Sequence, residues 1–109
     1  MKCPKCEDRQ LVAATVRGTE VDRCPHCDGI WFDAKELATL LATRPSDLKP
    51  LAGGATDAAT NARAGRCPRD QSRLMRVCSA HKRTVILETC PTCHGLWLDG
   101  GELKELLRQ

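Results

Sequence analysis

The cysteine spacing constrains this chain more than any other feature, because the same pattern occurs twice in register. Cys3-Pro4-Lys5-Cys6 is followed after 17 residues by Cys24-Pro25-His26-Cys27, then by Gly29, Trp31, Asp33, Glu36 and Leu37. Cys67-Pro68-Arg69-Asp70 is followed after 19 residues by Cys90-Pro91-Thr92-Cys93, then by Gly95, Trp97, Asp99, Glu102 and Leu103. From the second knuckle onward the copies keep a constant offset of 66 residues. A Cys-x-x-Cys knuckle places two thiolates on one tight turn, and two knuckles complete a tetrahedron around zinc. Repetition of the whole pattern divides the chain into units at 1–43 and 67–109.

Units this short sit near the size at which a hydrophobic interior rarely suffices without a staple. Trp31, Phe32 and Trp97 are the only aromatic residues. Structural zinc supplies roughly 10–16 kcal/mol in small peptides, so Zn2+ is expected to carry much of the folding free energy. Eight cysteines also fit a disulfide framework. Met1-Lys2-Cys3 leaves no room for a signal peptide, however, and no apolar run reaches membrane-spanning length. The expected compartment is the reducing cytoplasm, where such spacings favour metal over disulfides.

Cys3, Cys6, Cys24 and Cys27 form the expected first site, a closed four-thiolate set of structural type. Proline after the first cysteine of each knuckle presets φ and leaves the knuckle amides free to donate to sulfur. The second site combines Cys67, Cys90 and Cys93 with Asp70, which stands where the first copy has Cys6. Cys78 and His81, on the following hairpin, are the competing fourth ligands. A carboxylate is a harder donor than a thiolate, which lowers affinity and opens a zinc- or redox-sensing reading of this site. Two coincidences are set aside. Cys24-Pro-His-Cys27 matches a thiol-redox pair but has no βαβ surroundings, and Cys90-Pro-Thr-Cys93-His94 matches a haem attachment site but lacks an export signal.

The fold class expected is a small, metal-stabilised α+β protein of two tandem zinc ribbons. Each ribbon is a β-hairpin plus a short third strand, followed by a short amphipathic α-helix. Residues 11–16 and 20–23 flank Arg17-Gly18-Thr19, where glycine supplies the positive φ of a turn. In the second copy, 74–77 and 84–89 are the hairpin strands. Asp33 with Glu36, and Asp99 with Glu102, form capping boxes. Leu37, Leu40 and Leu41, repeated as Leu103, Leu106 and Leu107, give one-sided helical stripes. Gly100 and Gly101 are expected to weaken the second helix by about 1 kcal/mol each. Residues 44–66, rich in Ala, Gly, Thr and Asn, are expected to be a flexible linker with little to pack beyond Leu48 and Leu51.

Metallation brings the formal charge of +3 close to zero, so global charge favours no polyanion. Locally, Arg66, Arg69, Arg73, Arg76 and Arg83 lie in the basic tract 63–83, a candidate phosphate-binding surface without aromatic residues for base stacking. Trp31, Leu37, Leu41, Trp97, Leu103 and Leu107 are candidates for a partner-binding surface, set against the reading that the tryptophans cover their own sheets. These surfaces are also able to mate with each other, within one chain or between two copies.

The repeated Cys-Pro-x-Cys … Cys-Pro-x-Cys-x-Gly-x-Trp-x-Asp-x-x-Glu-Leu resembles the zinc ribbon family named after general transcription factor IIB, in its bacterial branch. The resemblance covers residues 3–41 and 67–107, and the chain departs from it at Asp70. It implies a zinc ribbon followed by a short helix, with Cys3, Cys6, Cys24, Cys27, Cys67, Cys90 and Cys93 as ligands. The functional expectation is a non-enzymatic adaptor for a protein partner, with nucleic-acid binding as the alternative and no role at a membrane.

Overall fold

Small and β-branched residues make β1 (Val12–Val16) and β2 (Thr19–Arg23) a hairpin. Its two-residue turn uses Arg17 and Gly18 at φ of 51° and 81°, the left-handed pair that a type I′ turn requires. The computed structural model describes residues 1–6, 8–42, 45–55, 57–79 and 82–107. Within these, β3 (Ile30–Phe32) pairs with β2, and α1 (Glu36–Leu41) follows. The second copy repeats the plan as β4 (Met75–Cys78), β5 (Ile86–Thr89), β6 (Leu96–Leu98) and α4 (Glu102–Leu107). Between the copies lie α2 (Pro45–Leu48), a 3₁₀ turn at Lys49–Leu51 and α3 (Ala58–Ala62).

The copies do not stand apart. Strand β3 pairs antiparallel with β6, in the register Ile30 with Leu98, Trp31 with Trp97 and Phe32 with Leu96. One six-stranded antiparallel sheet results, ordered β1-β2-β3-β6-β5-β4, with an approximate twofold axis at the Trp31–Trp97 pair. The mating of surfaces anticipated from the sequence therefore occurs within one chain. Ile30, Phe32 and Leu98 face one side, under Leu37 and Leu40 of α1, Leu103 and Leu106 of α4, and Leu48 and Leu51. Trp31 and Trp97 face the other, with Leu74 and the cysteines of both knuckle pairs. Both indoles are fully buried. Trp31, Leu37, Trp97 and Leu103 are thus interior residues and not a partner surface. Leu107 is half-buried, and the Leu41 side chain lies outside the described set.

Each indole lies over the glycine of the opposite copy. A Cβ on Gly29 would overlap the six-membered ring of Trp97, and one on Gly95 would overlap that of Trp31. Gly29 and Gly95 are therefore required by close approach, not by backbone conformation.

The capping boxes form only in part. Glu36 Oε1 accepts the Asp33 N–H at 2.6 Å, and Glu102 Oε1 accepts the Asp99 N–H at 2.6 Å. The aspartates do not cap their helices; each accepts from its own tryptophan, at 3.0 Å for Trp31 Nε1–H to Asp33 and 2.8 Å for Trp97 Nε1–H to Asp99. The helices start at Glu36 and Glu102, each one residue after a left-handed position, Lys35 at φ 74° and Gly101 at φ 86°. Gly101 thus precedes its helix and relieves strain there, contrary to the expected penalty.

The expected flexible linker also needs correction. Its small side chains let the backbone approach the second copy and satisfy buried polar groups. Lys5 Nζ donates to Thr60 O at 2.7 Å and pairs with Glu88 at 2.7 Å and Asp99 at 3.2 Å. Gly65 N donates to Glu88 Oε1 at 2.9 Å, and the Asn61 amide, oriented to suit its neighbours, donates to Asp99 and Glu102 at 3.0 and 3.2 Å. Gly101 N donates to Gly53 O at 3.2 Å. A buried ammonium and three buried carboxylates would be costly without these partners.

Replacing Gly29 by alanine is expected to cost about 2–3 kcal/mol through overpacking against Trp97. Urea unfolding of metal-loaded protein measures it. Gly53→Ala, whose Cβ would meet only Arg23 Nη2 at 3.8 Å, is the neutral control.

Candidate metal centres

In the first centre, Pro4 and Pro25 open turns that aim Cys3, Cys6, Cys24 and Cys27 at one point, and their sulfurs lie within 4.8 Å of one another. Cys3 Sγ and Cys27 Sγ are 3.7 Å apart. Metal–sulfur bonds of about 2.3 Å in a tetrahedron give sulfur–sulfur edges of about 3.8 Å, so the spacing suits a tetrahedral ion. The Cys6 N–H donates to Cys3 Sγ at 3.2 Å, the amide support expected of a knuckle. As bare thiols Cys3 and Cys27 could not both ionise. Cys27 is lowered to about 5 by the hydrogen bond from Cys3, while that bond, then burial, pushes Cys3 far up. A divalent cation relieves this conflict by neutralising the thiolates.

The second centre gathers Cys67, Asp70, Cys90 and Cys93, again with donor atoms within 4.8 Å of one another. Cys67 Sγ and Cys93 Sγ are 3.6 Å apart, and Asp70 Oδ2 lies 3.4 Å from Cys90 Sγ. Amides of Arg69, Thr92 and Cys93 support the sulfurs at 3.3, 3.4 and 3.4 Å. The Asp70 carboxyl is exposed and lowered by the Ser72 backbone N–H, which donates to Oδ1 at 2.9 Å. Asp70 thus completes the group of four side chains placed to hold an ion. Cys78 sits exposed on edge strand β4, outside the cluster, and His81 lies outside the described residues. His26 and His94 are exposed and belong to neither donor set.

The third residue of each first knuckle crosses to the other copy. Lys5 reaches Asp99, and Arg69 binds Asp33 through Nε at 2.5 Å and Nη2 at 2.6 Å. By sequence alone Arg69 belongs to the basic tract and Lys5 carries no assigned role. The shared place of the two cations in Cys-Pro-x-Cys and Cys-Pro-x-Asp was the available signal. The other arginines of the tract stay exposed. Arg66 Nη1 donates to Gln71 O at 3.3 Å and, with Lys2, lines a cleft of about 290 Å³ between Cys3 and Cys67.

Two knuckle-bearing ribbons, each with four converging donors and joined through a shared sheet, define a duplicated metal-ribbon protein. The sequence matches the transcription factor zinc-finger family over residues 2–43 and 66–109, and the chain belongs to that family. No curated protein and no solved structure matches it. Among the described residues, no helix is long and apolar enough to cross a membrane.

The donor sets differ by one residue, so the ions should leave in order. A chelator titration followed by metal release is expected to strip the second centre first. Asp70→Cys should tighten that centre by about tenfold or more, and the two releases should then merge.

Glu102 supplies a pH test. Burial, together with the Asp99 and Glu88 carboxylates, raises it to about 7 against the pull of the Asp99 N–H and Lys5. From its ordinary value to about 7 the folded chain holds a proton that the unfolded chain has lost, so this group lowers stability as pH rises through that window. Glu102→Gln keeps the acceptor for Asp99 N–H and removes the ionisation. Its stability relative to the parent is expected to improve between pH 5 and pH 8; a constant difference would place the proton elsewhere.

Proposed function

We propose that the protein is a non-enzymatic, cytoplasmic adaptor, stapled by two zinc ions, that presents a rigid surface to a protein partner. The observation that carries the reading is that both metal clusters are closed four-donor sets joined through one continuous sheet. Four protein donors leave no coordination position for a substrate, which is the mark of a structural site. Thiolate-rich tetrahedral sets of this spacing suit zinc among divalent ions. Joining the ribbons prepays the cost of ordering the surface, which favours binding over chemistry.

A second reading, nucleic-acid binding, draws support from the cleft lined by Lys2 and Arg66 and from the exposed Arg73 and Arg76 nearby in sequence. Two measurements separate the readings. Elemental analysis should give two zinc ions per chain, and iron in their place would remove the zinc assignment. Metal-loaded protein should pass through heparin and duplex DNA at low salt, yet retain a defined protein partner until chelator is added. Salt-sensitive retention on DNA with no protein partner would replace the adaptor by the second reading.

A further inference from the structure

The approximate twofold axis gives each copy the same polar cluster, yet the chain covers only one of them. In the second copy Glu88, Asp99 and Glu102 surround Lys5, and segment 57–65 closes over them. Lys5 is 1% exposed and Asp99 4%. Register fixes the equivalents in the first copy: Asp22 pairs with Trp31 as Glu88 pairs with Trp97. Asp33 and Glu36 repeat Asp99 and Glu102, and Arg69 repeats Lys5. Here no segment among the described residues lies on top. Arg69 is 47% exposed and Asp33 37%.

We propose that this open cluster, Asp22, Asp33 and Glu36 with Arg69, is a docking site for a short peptide segment of a protein partner. The segment would offer a main-chain carbonyl to Arg69 and amide or ammonium donors to the carboxylates. The proposal rests on the adaptor reading and names its surface.

The occupant's chemistry is drawn from the covered cluster. There Thr60 supplies the carbonyl to Lys5, and Asn61 and Gly65 N supply the donors to carboxylates. Four of the residues beside them, Ala58, Ala59, Ala62 and Ala64, are small, so the backbone comes close, while Arg63 reaches over Lys5 O. Charge points the same way, since three carboxylates gather around the Arg69 guanidinium, with the Met1 amino group the further cation acting on Asp22. Asp22 is half-buried, and its carboxylate has no hydrogen-bond partner among the described residues. The donor equivalent to Gly65 N is the amino group of Met1, and it is engaged with Gln10 Oε1 at 3.3 Å instead. A carboxylate partly removed from water without a donor gains more from an arriving N–H than an exposed one does.

A synthetic peptide copying residues 57–66 of this chain is the probe, because in the intact protein its own cluster is already covered. The chain has two tryptophans, so the indole N–H resonances of metal-loaded, ¹⁵N-labelled protein report the two clusters separately. The Trp31 resonance is expected to move saturably at millimolar peptide while Trp97 stays fixed. So short a peptide must order on binding, which keeps affinity weak. The double variant Asp22→Asn, Glu36→Gln should weaken the response about tenfold, as should Asn61→Ala within the peptide. A Trp31 resonance that stays still at several millimolar peptide, or moves equally in the double variant, overturns the proposal. Partner capture keeps the two readings distinct. A zinc-dependent partner held equally by the double variant removes this surface and leaves the adaptor standing. A positive peptide titration with no captured partner does the reverse.

Discussion

Three cross-strand pairs hold this molecule together. The β3–β6 ladder is only three residues long, yet it turns two half-sized ribbons into one sheet with two covered faces. Each indole crosses the axis onto the glycine of the opposite copy, where any side chain would collide. Burying both tryptophans this way gives the joined chain an interior that neither half has alone. The metal clusters and this seam are therefore complementary staples. Ions held by the two clusters would fix the knuckles, and the indoles fix one ribbon to the other.

The same seam explains the tail of the repeated motif. Tryptophan is buried across the axis and needs a partner for its indole N–H; the aspartate two residues on accepts it. That aspartate then binds the cation from the other copy's first knuckle. The glutamate three residues further on accepts the aspartate N–H and starts the helix. Metal ligand, cross-axis cation, indole and helix start thus form one connected chain of contacts. A small protein gains specificity when its few polar groups are satisfied together.

Much of this was legible in the residues. Paired knuckles gave both donor sets, including Asp70, because thiolate spacing on tight turns permits little else. The first hairpin followed from the turn at Gly18, and the helices from the leucine stripes. What escaped was long-range. Period and spacing describe one ribbon at a time, so they left open whether Trp31 and Trp97 meet and whether Leu37 and Leu103 are exposed. Segment 44–66 looked structureless because its anchors are backbone groups and one amide, Thr60 O, Gly65 N and Asn61, which carry no hydrophobic signature. Lys5 and Arg69 looked like ordinary surface cations because their partners lie 94 and 36 residues away.

Joining two like halves end to end has an unavoidable geometric result. A single connection can lie over one side of a twofold axis only, so covalent duplication must break the symmetry it creates. Lys5 and Arg69 hold corresponding positions yet occupy a sealed and an open environment. Paired sites in this chain are therefore released from identical constraint, and each half is free to diverge in its own direction.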